Sequence, residues 1–398
     1  MIMEKCIDPV NNLSALHGSY QICSRCVMDT SVPDIVFDDN GVCNYCSDFL
    51  ERAKKFLNSD TEVKKRELNG LVKRIKSHGR GKRYDCVVGV SGGVDSSWAL
   101  VKAVELGLRP LAVHMDNGWN SELAQNNIAN LVRGLGVDLY THVINWEEYR
   151  ALMQSFFDAD VIDIEILYDN AMLAVNFQQA ARFGVKFILS GVNTTSEGMR
   201  MPSSWNWIKW DKKNIISIAK QFGCPKIKTF PVIGTLDRMW HEIIRSRRWV
   251  AFLDYIEYNK FEAMRSLQLD HGYKPYPYKH YESIFTRFYQ GFLLPKKFGV
   301  DKRRLHFSTL IAVGQLERSA AIKNLEKIPY PSELDLENDK HYFLKKMNWN
   351  ESQLTDYLSR PRVEHDFYPS ERHKYEQLAQ LSKRIDFWVQ ALGRLWKS

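Results

Sequence analysis

Within seven residues, Ser91-Gly92-Gly93-Val94-Asp95-Ser96-Ser97 places three hydroxyls, two adjacent glycines and one carboxylate. That set suits a bound phosphate. Adjacent glycines let the backbone turn tightly, so that several N–H groups converge on one anion. A helix starting here would add about half a positive charge and free N–H donors. Ser91, Ser96 and Ser97 add hydroxyl donors. Asp95 would repel phosphate unless a divalent cation bridged the two, which makes it a metal ligand. The plainer reading is a serine-capped strand-to-helix turn. The G-x-x-x-x-G-K-[ST] spacing of a Walker loop is absent.

A second constellation is Cys23-Ser24-Arg25-Cys26 followed, after sixteen residues, by Cys43-Asn44-Tyr45-Cys46. C-x₂-C twice at this separation is a structural zinc spacing, with two knuckles offering four thiolates. An iron–sulfur cluster is the alternative. Such a closed site keeps no open coordination position and is assigned no catalysis. Cys6, Cys86 and Cys224 have no partner at useful spacing. Cys86 reads as packing, and Cys224 is weighed as a sulfur carrier.

These groups need elements to hold them. Apolar runs predict strands at 84–90, 111–116, 138–144 and 185–190. Helical spacing covers 97–106, 121–134, 147–157 and 170–183, and one further helix is expected from Ser47 to about Ser77. Strand–helix alternation predicts an α/β fold with a doubly wound parallel sheet, whose ligands bind beyond the carboxyl ends of the strands. The Ser91 loop, Asp116-Asn117-Gly118 and Gly191-Val192-Asn193 would share that edge. The expected division is a zinc-binding segment over 1–50, a nucleotide-binding α/β domain over 51–230, and a mainly helical, substrate-binding region over 231–398.

The chain is 44% hydrophobic and 26% charged, which fits a soluble globular protein. No apolar run is long enough to cross a membrane. The first residues lack a secretory pattern, so a cytoplasmic location is expected. A net charge of +8 favours anionic ligands without choosing between RNA and nucleotides.

The Ser91 loop resembles the SGGxDS loop of PP-loop ATP pyrophosphatases, which cleave ATP between the α and β phosphates. Further segments narrow this. ICSRCVMDTSVPDIVFDDNGVCNYC, GVSGGVDSS, ILSGVNTTSE, SWNWIKWDKKNI, FLDYIEYNK, KHYESIFTRFYQGFLLPKKFGVDKRRLHFSTLI and GQLERSAA resemble the N-acetyl sugar amidotransferases. That family makes acetamidino sugars for lipopolysaccharide O-antigens and flagellin glycans. The segments span 22 to about 330. Tyr168-Asp169-Asn170 departs from the family's pattern, where Asp followed by His is expected.

The resemblance implies the adenine-nucleotide alpha-hydrolase (PP-loop) fold, with ATP, Mg²⁺ and Zn²⁺. It also implies adenylation of an acetamido oxygen on a nucleotide-activated diacetamido sugar, then displacement of AMP by ammonia. Asp95, Ser96, Lys279 and His280 are the expected catalytic residues. Val113, His114 and Asp116 would flank the adenosine, and Gly191 and Asn193 the far side of the nucleotide. Asp169 and Glu197 are further Mg²⁺ candidates. Glu282, Arg287, Lys302, Arg303 and Arg304, with Lys279 and His280, form a cluster expected to bind the triphosphate or the sugar nucleotide. A solvated basic face is the competing reading of that cluster. Trp205 and Trp207 are weighed between stacking on substrate and core packing.

No G-x-C-x-G elbow surrounds any cysteine, and residue 2 is Ile. Ammonia is therefore expected from a separate glutaminase, and the resemblance implies a partner of the histidine-biosynthesis glutaminase/cyclase type. Nucleic acid and membrane are not expected partners. The competing functions are tRNA thiolation by the same ATP chemistry and a non-catalytic zinc/RNA-binding module.

Overall fold

The computed structural model describes residues 20–57, 59–224, 227–276 and 281–378. In chain order the first elements are α1 (Asn44–Leu57), α2 (Thr61–Gly79), β1 (Cys86–Gly89), α3 (Val94–Glu105) and β2 (Pro110–Asp116). Next come α4 (Glu122–Leu135), β3 (Asp138–Val143), α5 (Trp146–Asp158), α6 (Ile166–Arg182), β4 (Phe187–Ser190) and α7 (Thr194–Glu197). Then follow α8 (Lys212–Gln221), α9 (Thr235–Met239) with a π turn over Trp240–Ile244, β5 (Arg248–Ala251) and α10 (Lys260–His271). The remainder is helical: α11 (Ile284–Phe288), a π helix over Tyr289–Phe298, α12 (Arg303–Ala312), α13 (Arg318–Leu325), α14 (Glu333–Met347) and α15 (Glu351–Ser359).

The five strands form one parallel sheet in the order β3-β2-β1-β4-β5. β1 lies at the centre, and its Cys86, Val87 and Val88 are buried. Alternate strand residues feed opposite faces. Val87, Leu111, Val113, Met115 and Ile188 join a large core with α5, α6, the cysteine segment and the C-terminal helices. Cys86, Val88, Ala112, Phe187 and Leu189 join a smaller core with α2, α3, α4 and α10. Chain direction across the sheet reverses between β1 and β4, so the loops after those strands flank the switch point.

Two expectations need correction. The single helix from Ser47 to Ser77 is two helices, because Asp60 caps α2 by accepting from the Glu62 N–H at 2.8 Å. The sheet also takes a fifth strand, β5, from beyond the boundary drawn at 230. β5 is four residues long, lies at the edge and buries only Val250, so it leaves little periodic signal. Among the described residues no helix is long and apolar enough to cross a membrane.

Candidate active site at the sheet switch point

The Ser91 loop joins β1 to α3 at the switch point. Gly92 has φ +86°, a left-handed conformation open to glycine, and a Cβ there would lie 3.0 Å from the Ala124 carbonyl oxygen. Ser96 folds back on the loop. Its Oγ accepts from the Ser91 N–H at 3.2 Å and lies 3.2 Å from the Ser91 hydroxyl. No side chain caps the first turn of α3, so its N–H groups remain available at the loop. The loop after β4 comes equally close. A Cβ on Gly191 would stand 2.6 Å from the Asp95 carbonyl carbon and the Ser96 nitrogen. Glycine at 191 is what lets the two loops touch.

A cavity of about 480 Å³ opens between them. Ser91, Gly93, Asp95 and Ser96 line it from one loop, and Gly191, Ser196 and Glu197 from the other. Met115, Tyr168, Met172, Val175 and Leu189 make an apolar wall that also includes Val113. Asn176 stands in this wall with its Oδ1 buried and unpartnered, while its Nδ2 donates to the Met172 carbonyl at 2.8 Å. The far wall comes from the C-terminal half, with Lys260, Tyr276, Glu282, His306, Phe307 and Leu310. The Glu282 carboxylate is so near Gly93 that a Cβ there would lie 3.1 Å from its Oε1.

Asp95 is held by two hydroxyls. Tyr258 donates to its Oδ1, and Ser196 to its Oδ2 at 3.4 Å. Burial, with the Asp95 charge beside it, pushes the Tyr258 hydroxyl well above its ordinary value, so it stays a donor. Asp95, Glu197 and Glu282 each line the cavity, but among the described residues only the four cysteines bring their ligand atoms together as a metal-sized group.

Other expected residues have structural tasks. Ser97 is buried at 2% exposure and lies outside the cavity lining. His114 is also buried; its Nδ1 pairs with the Val90 carbonyl at 2.9 Å and its Nε2 accepts from Asn120 at 3.0 Å. Burial lowers its pKa, and this neutral imidazole ties β2 to the end of β1. Asp116 accepts from the Gly118 N–H at 2.8 Å and shapes the turn after β2. Asn193 caps α7, accepting from the Ser196 N–H at 2.7 Å.

Among the described residues of the expected cluster, Glu282 lines the cavity, but carboxylates elsewhere claim the charges of Arg287, Lys302, Arg303 and Arg304. Arg287 pairs with Asp339, and Lys302 with Glu165 at 2.8 Å. Arg303 pairs with Asp301 at 2.6 Å and donates to the carbonyls of Asn324 and Lys327. Arg304 pairs with Asp29 at 2.9 Å. Asp169 is bound by Lys209 at 2.9 Å, which takes it out of the metal set. Trp205 is core. Trp207 stacks on His365, with centroids 5.1 Å apart, and donates to Asp211 at 2.9 Å. Lys279, His280 and Cys6 lie outside the described residues.

Tyr258, Tyr276, Lys260 and Asn176 were not singled out by sequence reasoning. Tyr258 and Lys260 sit in FLDYIEYNK, a segment read only as a resemblance. Asn176 lies on a helix where its spacing looks like core.

The four cysteine sulfurs lie within 4.8 Å of one another. Cys23 and Cys46 are 3.9 Å apart, and Cys26 and Cys43 are 3.8 Å apart. Four sulfurs about 2.3 Å from zinc define a tetrahedron with edges of about 3.8 Å. The N–H groups of Cys26 and Cys43 donate to the Cys23 sulfur, an arrangement that favours negative charge on it. This cluster is compatible with zinc. It is fastened to the cavity wall: Arg318 donates to the carbonyls of Cys23 and Cys26, each at 2.9 Å, and Ser308 of α12 accepts from the Val27 N–H at 3.2 Å. The opposite side of α12 presents His306, Phe307 and Leu310 to the cavity. Cys86 is fully buried, and burial pushes its thiol up; neither Cys86 nor Cys224 reaches the cavity lining.

Residues 282–382 match the family described as LPS biosynthesis protein WbpG-like, C-terminal domain. No curated protein matches the chain. Among solved structures, NMN synthetase from Francisella tularensis is similar over 56% of this chain and 99% of its own, at 18% identity and a TM-score of 0.29. Glutamine-dependent NAD+ synthetase from Acinetobacter baumannii, in complex with ADP, is similar over 65% of this chain and 43% of its own, at 16% identity and a TM-score of 0.33. A predicted tRNA methyltransferase subunit from Methanocaldococcus jannaschii covers 46% of this chain and 75% of its own, at 14% identity and a TM-score of 0.28. The chain is thus an α/β protein with its SGGxDS loop at the switch point of a parallel sheet, and its residues 282–382 are similar to the WbpG-like C-terminal domain.

Proposed function

We propose that this protein is an ATP-dependent amidotransferase that converts an acetamido group on a nucleotide-activated sugar into an acetamidino group. One observation carries the reading. The segment similar to the WbpG-like domain and the Ser91 loop wall the same cavity, through Glu282, His306 and Phe307 on one side and Ser91, Asp95 and Ser96 on the other.

ATP fits this cavity in two parts. The purine enters the apolar slot of Val113, Met115, Met172 and Leu189, where its exocyclic amine supplies the donor that Asn176 Oδ1 lacks. The phosphates meet the N–H groups at the start of α3 and the hydroxyls of Ser91 and Ser96. Asp95 would hold Mg²⁺ together with the phosphate oxygens, and the ion would neutralise charge developing on pyrophosphate. The acetamido oxygen attacks the α-phosphorus and pyrophosphate leaves. Ammonia then attacks the imidate carbon, and AMP departs with that oxygen. An amide resists ammonia because its oxygen is a poor leaving group, and adenylation removes that obstacle.

Ammonia comes from a separate glutaminase partner in this reading. The thiolation alternative calls for a cysteine pair or cluster ligands at the reacting centre, and none of the described cysteines lines the cavity. The test is pyrophosphate release from ATP with ammonium and a panel of UDP- and CMP-linked diacetamido sugars, with bulk tRNA as rival substrate. Release that depends on a sugar, with a product lighter by the difference between oxygen and an NH group, is expected. Release stimulated by tRNA alone would overturn the reading.

A further inference from the structure

A wider groove of about 1300 Å³ runs along the open edge of β5. One face of α2 forms a wall, with Val63, Glu67, Gly70 and Arg74 recurring at helical spacing. The lining is strongly cationic. Arg52, Lys64, Arg66, Arg74, Arg247 and Arg248 face three carboxylates, Glu67, Glu242 and Asp254. Two of those carboxylates are already engaged: Glu242 pairs with Arg238 at 2.9 Å, and Asp254 accepts from the Thr194 N–H at 2.6 Å. Arg66, Arg74 and Arg248 have no ion pair among the described residues. Arg247 carries a buried Nε with no acceptor, and burial and the neighbouring Arg245 both disfavour its charge. A buried, unpaired guanidinium N–H is costly and is relieved by an anion.

Position says which anion. Trp249 lines both this groove and the loop cavity. The turn between them faces the cavity through Val192, Ser196 and Glu197, while its Thr194 is tied to Asp254 on the groove side. The loop cavity is rich in carboxylates and suits one metal-bound triphosphate. It offers little to a second diphosphate, and Arg287, Lys302, Arg303 and Arg304 are committed to ion pairs.

We propose that the groove along β5 binds the diphosphate of a nucleoside-diphosphate sugar and directs the sugar past Trp249 into the loop cavity. The proposal rests on the reading above that the substrate is a nucleotide-activated sugar. Arginine forks match phosphate oxygens two at a time, so Arg74, Arg247 and Arg248 carry most of the binding.

Calorimetric titration of the full chain with UDP and, separately, with ATP tests this. The doubly substituted chain carrying Arg74→Glu and Arg248→Glu is expected to lose at least about tenfold in UDP affinity with ATP affinity unchanged. A second variant works by filling space. A Cβ on Gly70 would meet only the Arg74 Nη1, at 3.8 Å, so Gly70→Leu fits the helix and occupies the groove. It should weaken UDP binding with the fold intact. No UDP binding by the unsubstituted chain, or equal UDP affinity in all three proteins, overturns the proposal. So does retention of bulk tRNA that these variants abolish while UDP binding persists. Failure of the amidotransferase reading is seen separately, as absence of sugar-dependent pyrophosphate release by the unsubstituted chain.

Discussion

The Tyr258 hydroxyl donates to the Oδ1 of Asp95, fixing from the C-terminal half the one carboxylate of the phosphate loop. A hydrogen bond to a charged group contributes about 1.5–3 kcal/mol. Tyr258→Phe leaves the ring in its buried place and removes only the donor. Turnover is expected to fall about tenfold or more, with a higher Mg²⁺ concentration needed for half-maximal rate. Steady-state pyrophosphate release across a Mg²⁺ series checks this. An unchanged Mg²⁺ dependence would mean that Tyr258 does not position Asp95.

The cysteine cluster should control activity without touching substrate. Arg318 and Ser308 link its backbone to the helices around the cavity, and α12 places Phe307 and Leu310 in the cavity wall. Cys26→Ser, or prolonged chelation, is expected to lower the melting temperature and to abolish pyrophosphate release together. Metal analysis should return about one zinc per chain before chelation and none after. Full activity in a zinc-free chain would separate the cluster from the site.

Gly191→Ala tests the contact between the two loops. The added methyl meets backbone at 2.6 Å, and backbone of a helix start has nowhere to yield. The loops must separate by a sizeable fraction of an ångström, and displacement on that scale can cost about 100-fold in rate. The expected result is that loss with zinc content and secondary structure preserved, read by turnover and circular dichroism.

Much of this arrangement is written locally. Cys86–Gly89 is a central strand with its first three residues buried, so the apolar run there stands out, and the glycines and serines that follow carry their own turn and phosphate chemistry. The cysteine spacing is equally local. What escaped depends on partners far along the chain. Arg304 looks like a phosphate ligand until Asp29 is folded against it. Tyr258 and Asn176 gain meaning only from Asp95 and from the purine-sized slot. β5 is an edge strand paired on one side only, with a sequence, Arg248-Trp249-Val250-Ala251, that follows a basic run and alternates too briefly to register.

Asn176→Leu bears on the choice of base. Its Oδ1 is a buried acceptor in an apolar wall, suited to an exocyclic amine. The native chain should prefer ATP to ITP, which lacks that amine, by about tenfold, and the variant should bind the two alike. Competition binding with the two nucleotides measures it. Equal affinities in the native chain would remove Asn176 from base recognition.

His365 should give the fold an acid-sensitive component. It is 2% exposed, and its Nε2 accepts from the Asp163 N–H at 3.2 Å, so the proton sits on Nδ1 facing Asn214 Oδ1 at 2.8 Å. Burial pushes its pKa down to about 3, with Asp163 opposing the fall and Lys209 and Arg362 adding to it. The unfolded chain protonates this histidine near pH 6.5 and the folded chain does not, so the unfolded state binds more protons as pH drops. Its contribution is complete above pH 6.5 and is lost by about 1.4 kcal/mol per pH unit as pH falls toward the folded value. Carboxylates titrate in the same range in any variant, so the comparison must be a difference. Urea unfolding at pH 7 and pH 5 should show a smaller loss of stability in His365→Asn than in the native chain. Equal losses in both proteins would mean that this imidazole takes up its proton without unfolding the chain.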